Sequence, residues 1–173
     1  MTQKQKKIIN SGVMLFSTKG YHATTTRLIA QNAGVSEGLI FRHFKNKEGL
    51  LEKILEISNE NIKGMVEPIE SLSHPKVVLK HIINIPLNMG EEQKKYFKLI
   101  YALRWQMEGL EIELFNVLKN KLYESFQSLN YVDPKSEAET FLMILDGVMS
   151  HVLRNGTKNS LLILDNLLLK FDL

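Results

Sequence analysis

Apolar residues recur along this chain at three- and four-residue intervals, and no period-two alternation persists anywhere, so the pattern predicts helices from end to end. The first covers residues 3–19, with Ile8, Ile9, Val13, Leu15 and Phe16 on one side and Gly20 where a C-terminal cap needs a left-handed residue. Two short helices follow, over 26–33 behind a run of threonines and over 37–44 behind Ser36, because Ser and Thr hydroxyls cap free helix amides. Asn46 opens a fourth, longer helix reaching about residue 66, after which Pro68, Ser71, Ser73 and Pro75 mark the expected interdomain connection. Further helices are expected over 76–88, 91–107 and 110–129, with Pro75 at a first helical position and Gly90 and Gly109 as stops. Asp133 and Pro134 start another that ends at Asn155 and Gly156, and a last one covers 158–171. The chain therefore reads as all-α, without repeats or low-complexity tracts.

Within this frame the segment 20–44 has helix-turn-helix anatomy. Ile29 and Ala30 face inward from the first short helix, Ala33 permits close approach, and Gly34 allows the sharp turn. Val35, Ile40 and Phe44 pin the second helix, which leaves Ser36, Glu37, Gly38, Leu39, Arg42 and His43 as groove-facing positions. Charge sharpens the picture. The net +3 conceals an asymmetry, since residues 1–50 hold eight lysines and arginines against Glu37 and Glu48 alone, and the remainder is mildly acidic. A basic end on an acidic body is what a polyanion partner requires, although charge by itself also allows a chance basic face.

Composition mainly excludes. No cysteine is present, so there is neither a disulfide framework nor a thiolate site or nucleophile, which fits a cytoplasmic protein. The start of the chain is not expected to be a secretion leader, and apolar runs such as 161–164 fall far short of the roughly 18–20 residues that span a bilayer. No membrane partner is expected. His22, His43, His74, His81 and His151 are scattered without metal-site or general-base spacing, and no phosphate-binding glycine loop is present, so neither an enzyme nor a cofactor is expected.

One string of residues carries a family signature. Phe16, Gly20 and Tyr21, then Thr24 and Thr25, Ile29 and Ala30, the run from Ala33 to Ser36, Gly38, His43 and Phe44, Lys47 and Leu50 together closely resemble the DNA-binding domain of the tetracycline-repressor family. The resemblance covers about residues 8–51. It implies an N-terminal three-helix DNA-binding domain over 1–50, with the helix 46–66 leading into a C-terminal helical bundle over 51–173 that binds a ligand and dimerises. It further implies that Thr25 and Thr26 hold phosphate through hydroxyls and helix-end amides, that Lys47 meets phosphate as a point charge, and that His43 donates to the DNA backbone. Base reading then falls to Ser36, Glu37, Leu39 and Arg42, with Gly38 permitting close approach and Arg27 reaching in from the preceding helix. By chemistry, Arg42 suits guanine, Glu37 cytosine N4 and Leu39 a thymine methyl. Phe41 stands where the family usually has tyrosine and lacks the hydroxyl for a phosphate bond, so it is expected to pack at the interface.

The resemblance supplies architecture but no chemistry for the second half. Residues 134–155 carry adjoining apolar stripes, and residues 158–171 are apolar nearly all round, which implies a partner surface formed with a second copy. Leu145, Val148, Met149, Val152, Leu161, Leu164 and Leu168 are the candidate homodimer contacts. Phe97, Tyr101, Trp105 and Met107 recur at near-helical spacing beside Arg104, with His81 on a neighbouring helix. These six are candidates for a pocket taking a small apolar or amphipathic ligand, and they suit a plain core equally well. The expected function is a DNA-binding regulator, a repressor released from a pseudo-palindromic operator by its ligand. The competing readings are a helical protein-binding module and a metal-responsive one built on His and carboxylates.

Overall fold

The computed structural model describes residues 1–107, 110, 113–158 and 160–173, with the side chains of 113 and 114 left aside. Among the described residues the chain forms ten helices and no strand. The expectation of a helix stop at Gly109 lies outside the described residues. The chain divides into two compact units, one built from Met1–Glu60 with Glu91–Glu111, the other from Asn61–Gly90 with Ile112–Leu173.

In the first unit, α1 (Gln3–Lys19) opens with a capping box: the Thr2 hydroxyl accepts from Gln5 N–H at 3.3 Å while Gln5 Oε1 accepts from Thr2 N–H at 2.7 Å. Thr25 caps α2 (Thr26–Ala33) by accepting from Leu28 N–H at 3.2 Å. That helix ends in a Schellman motif, in which Gly34, at φ 66°, lets its own N–H reach Gln31 O and Val35 N–H reach Ala30 O. Next come α3 (Glu37–Phe44) and α4 (Lys47–Glu70), the latter capped by Asn46 Oδ1 on Gly49 N–H at 2.7 Å. Between them Lys45 adopts φ 68°, ψ −50°, with Asn46 N–H returning to Phe44 O at 2.8 Å, a strained γ-turn that separates the two helices within a couple of residues. Ile8, Phe16, Ile29, Ile40, Leu50 and Ile54 are buried together with Tyr96, Leu99 and Leu103 of α7 (Glu91–Arg104), which packs along α1. Gly12 makes room for Ile54, whose Cδ1 would lie 2.8 Å from a β-carbon there.

In the second unit α5 (Pro75–Ile83) and α9 (Pro134–Asn155) both pack on α8 (Glu113–Ser128). The short α6 (Ile85–Asn88) meets α9, and α10 (Leu161–Lys170) meets α5. Phe126, Phe141 and Phe171 form a ring cluster with centroids 4.9–6.1 Å apart.

Four boundaries differ from the pattern-based expectation. Helix α4 continues through Pro68 to Glu70, because the ring falls in the last turn, where the unpaired Gly64 carbonyl belongs to an exposed residue and solvent can serve it. The helix expected over 76–88 is split at Asn84, since Pro86 has no N–H to return to Ile82 and its ring crowds that carbonyl. Helix α7 stops at Arg104 rather than 107, and Gln106 and Met107 N–H both turn back to Leu103 O. Helix α10 starts later than expected, at 161.

Candidate nucleic-acid interface

The surface formed by the start of α2 and the length of α3 is assembled from capping and packing demands. Thr25 uses its hydroxyl as an N-cap on Leu28 N–H, which leaves the Thr26 and Arg27 backbone amides as donors at the positive end of a helix. Thr26 donates its hydroxyl to Glu37 Oε1 at 2.6 Å, tying the start of α2 to the start of α3. Glu37 is therefore half-buried and already accepting one hydrogen bond, so cytosine N4 would have to share its carboxylate. Ser36 occupies the N-cap position of α3 without a side-chain cap bond, so its hydroxyl is available for an outside partner. Arg27 and Arg42 are exposed, Leu39 lies half-buried against the unit's core, and Phe41 keeps 48% of its surface.

Gly38 is informative by what surrounds it. A β-carbon there would touch nothing within 4 Å, and its backbone is ordinary helix. Glycine in a helix costs roughly 1 kcal/mol against alanine, and the chain's own packing gives no return for it. The position is therefore open to close approach from outside, as Gly64 and Gly147 are on their own helices.

His43 is oriented from α1. The capping box commits Gln5 Oε1 to Thr2, so the amide nitrogen faces His43 Nδ1, 3.4 Å away. An amide nitrogen only donates, so Nδ1 accepts and the ring proton resides on Nε2. That tautomer offers an outward donor, which a phosphate contact needs. Gln5 was not among the residues singled out from sequence, although the Thr2-x-x-Gln5 spacing is a capping-box signal that points to it.

Lys47 is placed differently from a free surface lysine. Its ammonium donates to Tyr21 O at 3.1 Å and Thr24 O at 3.2 Å and sits 4.2 Å from the Tyr21 ring centroid. Two of its three N–H donors thus hold the loop 20–25 in shape, and one is left for phosphate. Tyr21 donates to Glu48 Oε1 at 3.1 Å; burial first, and then this bond, push its hydroxyl up to about 12. Glu48 is held below the usual carboxylate range by a bond to its own backbone amide and by the Tyr21 hydroxyl.

The other sequence-derived sites fall as follows. Of the candidate pocket residues, Phe97 is buried and Tyr101 half-buried, Met107 packs partly against the first unit's core, and Arg104 is exposed with its guanidinium 5.5 Å from the Tyr101 ring centroid. Trp105 is 93% exposed and His81, in the second unit, is exposed, so neither forms a cavity wall in this state. Of the candidate dimer contacts, Leu145, Val148, Met149, Val152 and Leu164 are buried within the chain itself, because they face the core that α9 and α10 share with their own unit. Leu168 is half-buried and Leu161 exposed, and Met143 on α9 and Leu162, Ile163 and Leu169 on α10 are uncovered too. Among the described residues no helix is long and apolar enough to cross a membrane.

Comparisons with known proteins bear on this geometry. Residues 8–54 match the family model described as bacterial regulatory proteins, tetR family. Over 167 residues the chain is 30% identical to the uncharacterized HTH-type transcriptional regulator YvkB of Bacillus subtilis strain 168, covering 91% of this chain and 87% of that protein. It is 27% identical over 159 residues to the fatty acid metabolism regulator protein of the same strain, covering 90% of this chain and 73% of that one. Among solved structures, the fatty acid degradation regulator FadR from Bacillus halodurans aligns with a TM-score of 0.64 at 20% identity, over 96% of this chain and 93% of that one. At that identity the likeness concerns the fold.

Proposed function

The chain belongs to the tetR family of bacterial transcriptional regulators, and from that premise we propose that it is a cytoplasmic, dimeric repressor released from DNA by a small ligand. Residues 1–50 carry the DNA-binding function and residues 51–173 ligand binding and dimerisation, even though α7 is packed into the first compact unit. Two α3 helices of a dimer enter successive major grooves of a pseudo-palindromic operator, about 34–36 Å apart. Thr25, Thr26, His43 and Lys47 hold the backbone, while Ser36, Glu37, Leu39 and Arg42 meet base edges and Arg27 and Phe41 flank them. The observation that carries this reading is the open glycine on an exposed polar helix face, Gly38 between Ser36 and Arg42.

The dimer forms through the uncovered face of α9 and α10. Met143, Leu161, Leu162 and Leu169 supply its apolar contacts, and Gly147, with nothing within 4 Å of a β-carbon, permits close crossing. The ligand is an apolar or amphipathic molecule. Relatives named for fatty acid metabolism and fatty acid degradation support a fatty acyl compound, and Phe97, Tyr101 and Met107 are the apolar side chains retained as its candidate contacts.

Selection from a random duplex-DNA library at about 0.15 M salt, a physiological ionic strength, tests the DNA reading. An enriched inverted repeat with half-sites about one helical turn apart is expected. Recovery of no common sequence would overturn it. With that repeat in hand, a series of saturated fatty acids and their coenzyme A thioesters is titrated against the complex, and release by at least one member is the expected result.

A further inference from the structure

The loop 20–25 joins α1 to α2 and ends in the residue that caps α2, so its position sets where the free amides of that helix point. Lys47 holds it from one side through the Tyr21 and Thr24 carbonyls. From the other side it is held by a residue 85 positions further along the chain, just beyond the end of α7. Gln106 Oε1 accepts from Tyr21 N–H at 2.8 Å, and Gln106 Nε2 donates to Ala102 O at 2.7 Å, which fixes the oxygen end of the amide toward Tyr21. The Gln106 backbone carbonyl lies 3.3 Å from His22 Nε2, close enough to accept from it. Gly20 completes the fit: a β-carbon there would sit 2.8 Å from Gln106 Oε1, at a φ of 87° that disfavours any side chain.

We infer that Gln106 is a positioning residue of the DNA interface, supplying from the end of α7 the acceptor that fixes the α1–α2 loop and, through it, the phosphate-facing end of α2. The inference rests on α2 and α3 being the DNA-facing surface. Glutamine fits the role because a neutral acceptor satisfies Tyr21 N–H while its own amide protons go back to α7. An apolar residue leaves that N–H unpaired, and a carboxylate places negative charge next to a phosphate position. Withdrawal of the end of α7 therefore loosens the start of α2 and, through the Thr26 bond to Glu37, reaches the start of α3.

The test uses Gln106→Met, which keeps length and bulk but loses the acceptor. Amide exchange at Tyr21 and binding to mixed-sequence duplex DNA across a salt series are measured beside the unsubstituted protein. Tyr21 exchange should rise and DNA affinity should fall about fivefold, the equivalent of roughly 1 kcal/mol for one hydrogen bond. The slope of log affinity against log salt should stay close to that of the unsubstituted protein, because the donors displaced are neutral amides and release no counterion. Exchange at Leu99 and Ile100, buried in α7, should stay unchanged, which separates the hydrogen bond from a general loosening of the fold. Unchanged affinity in Gln106→Met, or equal loss of protection at Tyr21 and at Leu99, overturns the inference and leaves the DNA reading standing. Absence of salt-sensitive DNA binding by the unsubstituted protein overturns that reading, and the inference with it.

Discussion

Where the unit containing α1 to α3 leaves its helix-turn-helix face uncovered, that face is polar and basic, whereas the unit containing α5 and α8 to α10 leaves leucines in water. Thr25, Arg27, Ser36 and Arg42 are exposed on the first, with Phe41 as the apolar exception. Leu161, Leu162, Ile163 and Leu169 are exposed on α10 of the second, with Met143 on α9. A polar face is stable in water and gains a partner only through charge and hydrogen bonding, so its binding must weaken with salt. An apolar face gains by being covered, at roughly 25 cal/mol per Å², and salt matters little to it. The two surfaces thus need partners of different chemistry, and a substitution on either should produce a distinguishable loss.

The largest effect is expected on the apolar side. Leu162 and Leu169 lie seven residues apart on one face of α10 and are 73% and 80% exposed, so the chain's own fold does not depend on them. A Leu162→Lys, Leu169→Lys double variant should remain folded but monomeric. Each buried leucine contributes at least about 1.5 kcal/mol, and a two-fold interface counts each twice. Dimerisation should therefore weaken by roughly four orders of magnitude, read by sedimentation. Leu164→Lys, at a position only 2% exposed, should instead unfold the second unit. A double variant that stays dimeric would refute the assignment of this face.

On the polar side the sharpest contrast comes from Gly38→Ala. The added methyl meets open space in the free chain and removes the entropic cost of a helical glycine, so thermal stability should rise by up to about 1 kcal/mol. DNA affinity should fall by about 1 kcal/mol or more, the scale of one base contact, because the methyl stands where the groove must come. Stability and binding moving in opposite directions is the signature. If both rise, the glycine serves no close approach.

How far this was legible from sequence depends on the range of the interaction. The three helices of the helix-turn-helix unit have the predicted bounds because their signals are local: threonine caps, a serine in extended backbone at the N-cap position of α3, a glycine at φ 66°, apolar residues one turn apart. The split at Asn84 is also local, written in Pro86, but the surrounding apolar pattern is continuous and masks it. By contrast, the packing of α7 on α1 and the Gln106 bond to Tyr21 join residues some 85 positions apart, and no periodicity encodes them. The same limit governs α9 and α10. An apolar stripe says that a face will be covered, but a helix with apolar residues on several sides does not say which stripe its own chain covers. Leu145 and Val152 went inward, and Leu162 stayed out.

The smallest effect expected belongs to a contact inside the first unit that neither surface uses. Tyr21 is buried against Phe16, with ring centroids 5.2 Å apart, and donates to Glu48. Burial and then that bond raise its hydroxyl from an ordinary value of 10 to about 12, so the folded chain holds this proton more tightly than the unfolded one. The corresponding stabilisation is complete below pH 10 and is lost as pH rises through 12. Tyr21→Phe keeps the ring and removes the hydroxyl, so at pH 8 it should cost about 0.5–1.5 kcal/mol for the hydrogen bond. Above pH 10 the gap between the two proteins should narrow, because only the tyrosine form still has a proton to lose. Urea unfolding at pH 8 and at pH 11 measures both, and a gap that stays constant would remove Tyr21 as the titrating group. Since the hydroxyl points to Glu48 within the same unit, DNA affinity should be unchanged, in contrast to Gln106→Met, whose acceptor fixes the loop itself.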